Sequence, residues 1–117
     1  MRVRRSTATP RQITHLCMQL VARLERSLPS LLARGYNSAE TMIAGTPVEY
    51  ATVITLFTPN ALRQEADKIG AYDQPTRIAI SRRVEAAFDR LVRGAHLEVL
   101  AHEYYPDGTL ARVALAP

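Results

Sequence analysis

Five arginines, Arg77, Arg82, Arg83, Arg90 and Arg93, fall between Thr76 and Arg93, against only Glu85 and Asp89. A guanidinium is always charged and presents a planar fork of donors, so such a run suits phosphate oxygens or the acceptor edge of guanine. Ser81 and Thr76 add hydroxyls that can donate to phosphate. A second basic group opens the chain: residues 1–34 carry seven arginines, Arg2, Arg4 and Arg5 among them, against Glu25 alone. Residues 35–75 and the stretch from Gly94 onward are net acidic, so the overall charge of +4 is the sum of segregated blocks. Clustered positive charge on an acidic background is the footprint that a polyanion partner requires. The competing reading is a solvated helix face. Glu85 stands three residues from Arg82 and Asp89 four from Arg93, spacings at which ion pairs contribute about 0.2–0.5 kcal/mol each.

Other chemistry is poorly provided for. There is no glycine-rich phosphate loop, Walker-type lysine or nucleophile elbow, so the chain reads as a non-enzyme without a cofactor. The single cysteine, Cys17, lies within an apolar helical stripe and reads as a small buried hydrophobe; alone, it cannot form an internal disulfide. His96, Glu98 and His102 alternate along a candidate strand. The two histidines would stand about 20 Å apart at the usual rise, too far for one metal ion. No metal site is expected.

Positioning these groups requires regular elements. The 117 residues, 47% of them hydrophobic, suit one globular domain over residues 10–117 behind a flexible basic arm at 1–9. Thr9, Pro10 and Gln12 mark a helix start. Ile13, Leu16, Cys17, Leu20, Val21, Leu24 and Leu28 then keep helical spacing up to Pro29, which ends or kinks the helix. This stripe must be buried against the chain's own core or a second copy, and Leu20 and Leu24 are the candidate contacts of a homodimer. Ser38–Ala44 reads as a short helix stopped by Gly45. Residues 48–57 are ambiguous: β-branched content favours a strand, whereas the Thr46-Pro47-Glu49 cap signal favours the helix preferred here.

Thr58 and Pro59 open the next helix, Gly70 closes it, and a longer helix covers about Thr76 to Arg93. Ile80, Val84, Ala87, Phe88 and Leu91 share its apolar stripe. A hairpin follows: His96–Tyr104, a turn at Tyr105-Pro106-Asp107-Gly108, and Thr109–Leu115. No apolar run is long enough to cross a membrane and no secretory signal precedes the first helix, which points to the cytoplasm.

The succession helix, turn, arginine-rich helix and hairpin over residues 58–115 resembles the winged helix-turn-helix domains of small prokaryotic regulators. The likeness is one of topology and covers about half the chain. It implies an α+β, mainly helical fold, with an added N-terminal amphipathic helix and a C-terminal β-hairpin as the wing. It also implies a small dimeric DNA-binding protein, a transcriptional regulator or mobile-element accessory protein, that lays helix 76–93 in the major groove. Arg82, Arg83 and Ser81 would then contact bases or phosphates. Arg77 and Arg93 would position the helix, and Arg2, Arg4 and Arg5 would add sequence-independent affinity. The wing fits this poorly. It carries Glu103 and Asp107 beside Tyr104 and Tyr105, a composition better suited to a protein surface. The alternative is therefore an interaction module or small inhibitor that docks a protein through Tyr104 and Tyr105 or through the N-terminal helix.

Overall fold

Thr9 caps the first helix, α1 (Pro10–Arg34), as the sequence requires. Its hydroxyl accepts from the Gln12 N–H, and the Gln12 side chain accepts from the Thr9 N–H at 2.8 Å. The structure, a computed structural model, describes residues 5–38, 41–43, 45–48 and 50–117. Leu16, Cys17, Leu20, Leu24 and Leu28 form the buried stripe of α1. Pro29 does not end the helix, which continues to Arg34 while Leu31 and Leu32 pack at the edge of the core. Gly35 then turns the chain against a neighbouring strand. A Cβ there would stand 2.7 Å from Thr52 Cγ2 and 2.8 Å from Ile54 Cγ2, so close approach rather than backbone strain demands glycine.

Strands β1 (Tyr36–Ser38), β2 (Thr41–Ile43), β3 (Thr46–Val48) and β4 (Ala51–Thr55) follow. Helices α2 (Ala61–Lys68) and α3 (Gln74–Gly94) and strands β5 (Glu98–Tyr104) and β6 (Leu110–Ala116) complete the chain. The result is an α+β fold, about half helical, with an antiparallel four-stranded sheet in the order β1-β4-β6-β5. The described part of Ser38–Ala44 is thus strand, not helix, and so is 51–55. The cap-like Thr46-Pro47 pair lies in a β2–β3 hairpin whose turn holds Gly45 at φ 80°, so that glycine does not end a helix. Long-range pairing of β4 with both β1 and β6 overrode the local cap signal and agreed with the β-branched content. Glu40 and Glu49 lie outside the described residues.

Helices α1 and α3 cover one face of the sheet. Leu16, Leu20, Leu24, Val84 and Phe88 meet Ile54, Leu110, Val113 and Leu115 in the main core. On the other face Ile43 covers a smaller cluster of Ala51, Val53, Ala101 and Ala114. Leu20 and Leu24 are 3% and 6% exposed, so the stripe proposed for a homodimer is buried within the chain's own core. Helix α2 starts later than expected: Pro59 precedes Asn60, which takes φ 66° at the N-cap and makes no side-chain cap bond. Gly70 behind it has φ 83°, as its stop role requires. Asp73 caps α3 by accepting from the Thr76 N–H at 3.0 Å.

Two local findings shape the surface. Residues 6–8 are tied down rather than loose. The Thr7 N–H donates to the Gly70 carbonyl at 2.8 Å, and Ser6 Oγ contacts Asp73 while accepting from the N–H groups of Tyr72 and Asp73. Residues 1–4, with Arg2 and Arg4, lie outside the described residues. In β5 the register advances two residues, from Val99 opposite Leu115 to Ala101 opposite Ala114, against one on β6. Leu100 is the extra residue of a β-bulge. The bulge reverses the alternation read from sequence. Val99 and His102 face the helices, while Ala101 and Glu103 face away. His96 takes φ 61° in the turn after α3, so His96, Glu98 and His102 do not share a strand face.

Candidate polyanion interface on the helical layer

Helix α3 buries Ile80, Ser81, Val84, Phe88 and Val92 and leaves two charged rows, about 100° apart around its axis. The row nearer β5 holds Arg82, Glu85, Asp89 and Arg93; the outer row, nearer α1, holds Arg83 and Arg90.

The β5-side row is occupied by intramolecular contacts. The Tyr104 hydroxyl donates to Glu85 Oε1 at 2.5 Å, and the Arg82 guanidinium stacks 4.2 Å over the Tyr104 ring and lies 3.7 Å from Glu85. Desolvation and then the bond to Glu85 push the Tyr104 hydroxyl up to about 12. His102 Nε2 lies 3.0 Å from Asp89 Oδ1, and its ring stacks nearly parallel to Tyr104 at 6.4 Å. Arg93 Nε donates to the Asp89 carbonyl at 3.3 Å. Nearer the start of α3, Arg77 pairs with Asp67 at 2.7 Å and donates to the Ala71 carbonyl. Arg77 is therefore held against α2 and the turn rather than presented outward.

The outer row differs. Arg83 Nη2 donates to Thr14 Oγ1 of α1 at 3.2 Å, and Arg90 is exposed; neither forms an ion pair with a described residue. Arg11 and Arg26 are exposed on α1, with Glu25 as an acidic neighbour. Arg5, the described member of the expected basic arm, is also exposed.

Three expected contacts are corrected by burial. Ser81 is 0% exposed, and its Oγ accepts from the Leu110 N–H at 2.8 Å, so it ties α3 to β6 and cannot reach a phosphate. Leu20 and Leu24 are core residues. The hairpin tip is also engaged. The Tyr105 hydroxyl donates to the Phe57 carbonyl, and Gln74 Nε2 donates to the Asp107 carbonyl at 2.9 Å. Arg112 makes a two-pronged pair with Glu103, at 2.7 and 2.8 Å, and donates to the Tyr36 hydroxyl. These contacts raise the pKa of Arg112, the bond to Glu103 most of all. Neither the tip nor Arg112 is an unpaired basic wing.

Arg90 is absent from the contact set that the winged-helix resemblance implies, although its place beside Arg83 is legible: it stands seven residues, two helical turns, along the same helix. The Tyr104–Glu85 and His102–Asp89 pairs carried no usable signal, because the bulge at Leu100 decides which way both ring side chains point. Among the described residues no group of three or more histidine, cysteine or acidic side chains is placed to hold a metal ion. No helix of the described chain is long and apolar enough to cross a membrane. Comparison with known proteins finds no matching family model, no matching curated protein and no matching solved structure.

Proposed function

We propose that this chain is a small DNA-binding protein of winged-helix type that meets duplex DNA with the outer face of α3. The observation that carries the reading is the asymmetry of that helix. Its acids, Glu85 and Asp89, are turned toward Tyr104 and His102, while Arg83 and Arg90 face outward without a carboxylate partner among the described residues. The effect is to separate the charges of one helix, leaving its outer side net positive. Arg83 and Arg90 stand about 10 Å apart along the axis, a span comparable with the roughly 12 Å width of the major groove. The topology is compatible with the reading: β4, α2, α3, β5 and β6 follow in order, with β6 between β4 and β5. The contact set is narrower than the sequence suggested. Arg83 and Arg90 carry it, Arg5 supports it, and on the β5 side Arg93 and Arg82 take part only by leaving the Asp89 carbonyl and the Tyr104 ring.

Fluorescence anisotropy with a labelled random-sequence duplex tests the proposal. Saturable binding at low salt, weakening steeply as salt rises through counterion release, is expected. An anisotropy that stays flat at low salt through micromolar protein would sink it.

A further inference from the structure

The furrow between α1 and α3 has a feature that phosphate contacts leave unexplained: an apolar floor. Cys17, Val21, Ala22 and Ala87 line it, Met18 stands on its rim 66% exposed, and Arg83 and Arg90 form its far wall. Its volume is about 370 Å³, and beyond Met18 the surface continues into a second depression beside Arg11, Thr14 and His15. We infer that this furrow docks an acidic amphipathic helix from a partner protein.

The shape argues for a helix. Two packed helices leave an outer furrow into which the ridge of a third can fit, and an amphipathic helix laid in a groove is a recurrent mode of recognition. The furrow is open along one side. A small molecule would therefore remain largely in water, whereas ligand sites bury about 70–90% of their occupant. Small floor residues let a helix approach closely, and an unbranched, polarizable methionine on the rim adapts to different side chains.

The charge decides the kind of helix. Arg83 and Arg90 wall the furrow and Arg11 lines the depression that adjoins it, with Glu25 as the acid along the furrow's lining. A second copy of this chain would bring the same arginines face to face, a like-charge juxtaposition that disfavours self-docking. A nucleic acid would answer the arginines but leave Met18 and the floor uncovered. Acidic groups flanking an apolar ridge answer both. The inference stands whether or not the chain binds duplex DNA, although the two occupants would share Arg83 and Arg90.

The test uses the full chain and a synthetic helical peptide of about 18 residues, five turns, with leucines on one face and glutamates on the other. A control peptide of the same composition has its leucines scattered around the helix. Methyl NMR follows Met18, Ala22 and Ala87. The expected result is saturable movement of these three methyls with the amphipathic peptide, binding at least about tenfold weaker with the scattered peptide, and a similar loss in R83E/R90E. A second variant, Ala22→Glu, places a like charge on the floor and should also lose the peptide while its remaining methyl spectrum stays dispersed. Equal binding of the two peptides would reduce the site to bare charge and overturn the inference. So would unchanged affinity in R83E/R90E, or no methyl movement up to about 1 mM peptide. Self-association that moves Met18 in the absence of peptide would hand the furrow to a second copy. A duplex that moves the Met18 methyl as strongly as the peptide does would hand it to nucleic acid.

Discussion

The two charged rows of α3 lie on one helix, yet their arginines are in different states. Toward β5, Arg82 stacks on Tyr104, Glu85 accepts from Tyr104, and Asp89 meets His102. Toward α1 and solvent, among the described residues, Arg83 bonds the neutral Thr14 hydroxyl and neither Arg83 nor Arg90 has an ion pair. The lesson concerns where charge is available rather than how much there is. The notional i,i+3 pair of Arg82 with Glu85 does form, but at 3.7 Å and half in water it is weak. The acids of α3 are oriented by bonds across to β5, which remove them from the outer side.

The largest expected effect tests the outer row. R83E/R90E should cost duplex affinity about 1–3 kcal/mol per arginine, the range for a specific arginine contact, while the thermal midpoint barely moves. Anisotropy and a melting curve on one preparation separate the two. A fall in midpoint matching the fall in affinity would make these arginines structural.

The next effect belongs to the buried side. Ser81→Ala removes the acceptor for the Leu110 N–H and should destabilise the chain by about 1–3 kcal/mol, the cost of stranding a buried donor. Duplex affinity should be unchanged. An unaltered urea midpoint would mean that this bond contributes nothing.

Asp73 holds the start of α3, from which both rows are aimed. Asp73→Ala should cost about 1 kcal/mol through loss of the N-cap. The side-chain bond from Thr76 holds the Asp73 carboxyl below its ordinary value. Its contribution is therefore fully present above that ordinary value and disappears as pH falls through the depressed folded-state pKa. Denaturant melts in acid should show the wild type losing its advantage over the variant; a constant gap would contradict the coupling.

The smallest effect concerns the β5 side. The Tyr104 hydroxyl is raised from about 10 to about 12 in the folded chain, so its contribution is intact below pH 10 and is lost as pH climbs from 10 toward 12. Tyr104→Phe should remove this part of the alkaline decline and shift stability only slightly at neutral pH, because the pair lies partly in water. A large neutral-pH loss in this variant would mean that the β5-side contacts hold the fold rather than merely orient its charges.

How far the sequence revealed this arrangement depended on whether the deciding force was local. Helix α1 was readable because the Thr9–Gln12 box and the leucine stripe are local, and the buried set Leu16, Cys17, Leu20, Leu24 and Leu28 matches that stripe. Helix α3 and the β5–β6 hairpin were readable for the same reason, to within about two residues. Strand β4 is ambiguous in sequence because Thr46-Pro47 imitates a helix start, and only its register against β1 and β6 breaks the tie. The site was half legible. Arginine clustering marked α3 as the charged helix, but which of its arginines stay unpaired depends on the bulge at Leu100 and on Asp67, both set by tertiary packing. Serine at position 81 looked like a surface donor because composition carries no sign of the Leu110 N–H that needs it.

The most direct measurement is the salt dependence of duplex affinity, compared between R83A/R90A and R77A/R82A. Each phosphate contact contributes about 0.9 to the slope of log affinity against log salt. R83A/R90A should flatten that slope by about two contacts, roughly 1.8, while R77A/R82A leaves it at the wild-type value. An equal flattening in both pairs, or a slope that only R77A/R82A changes, would contradict the division of α3 into a committed side and an available one.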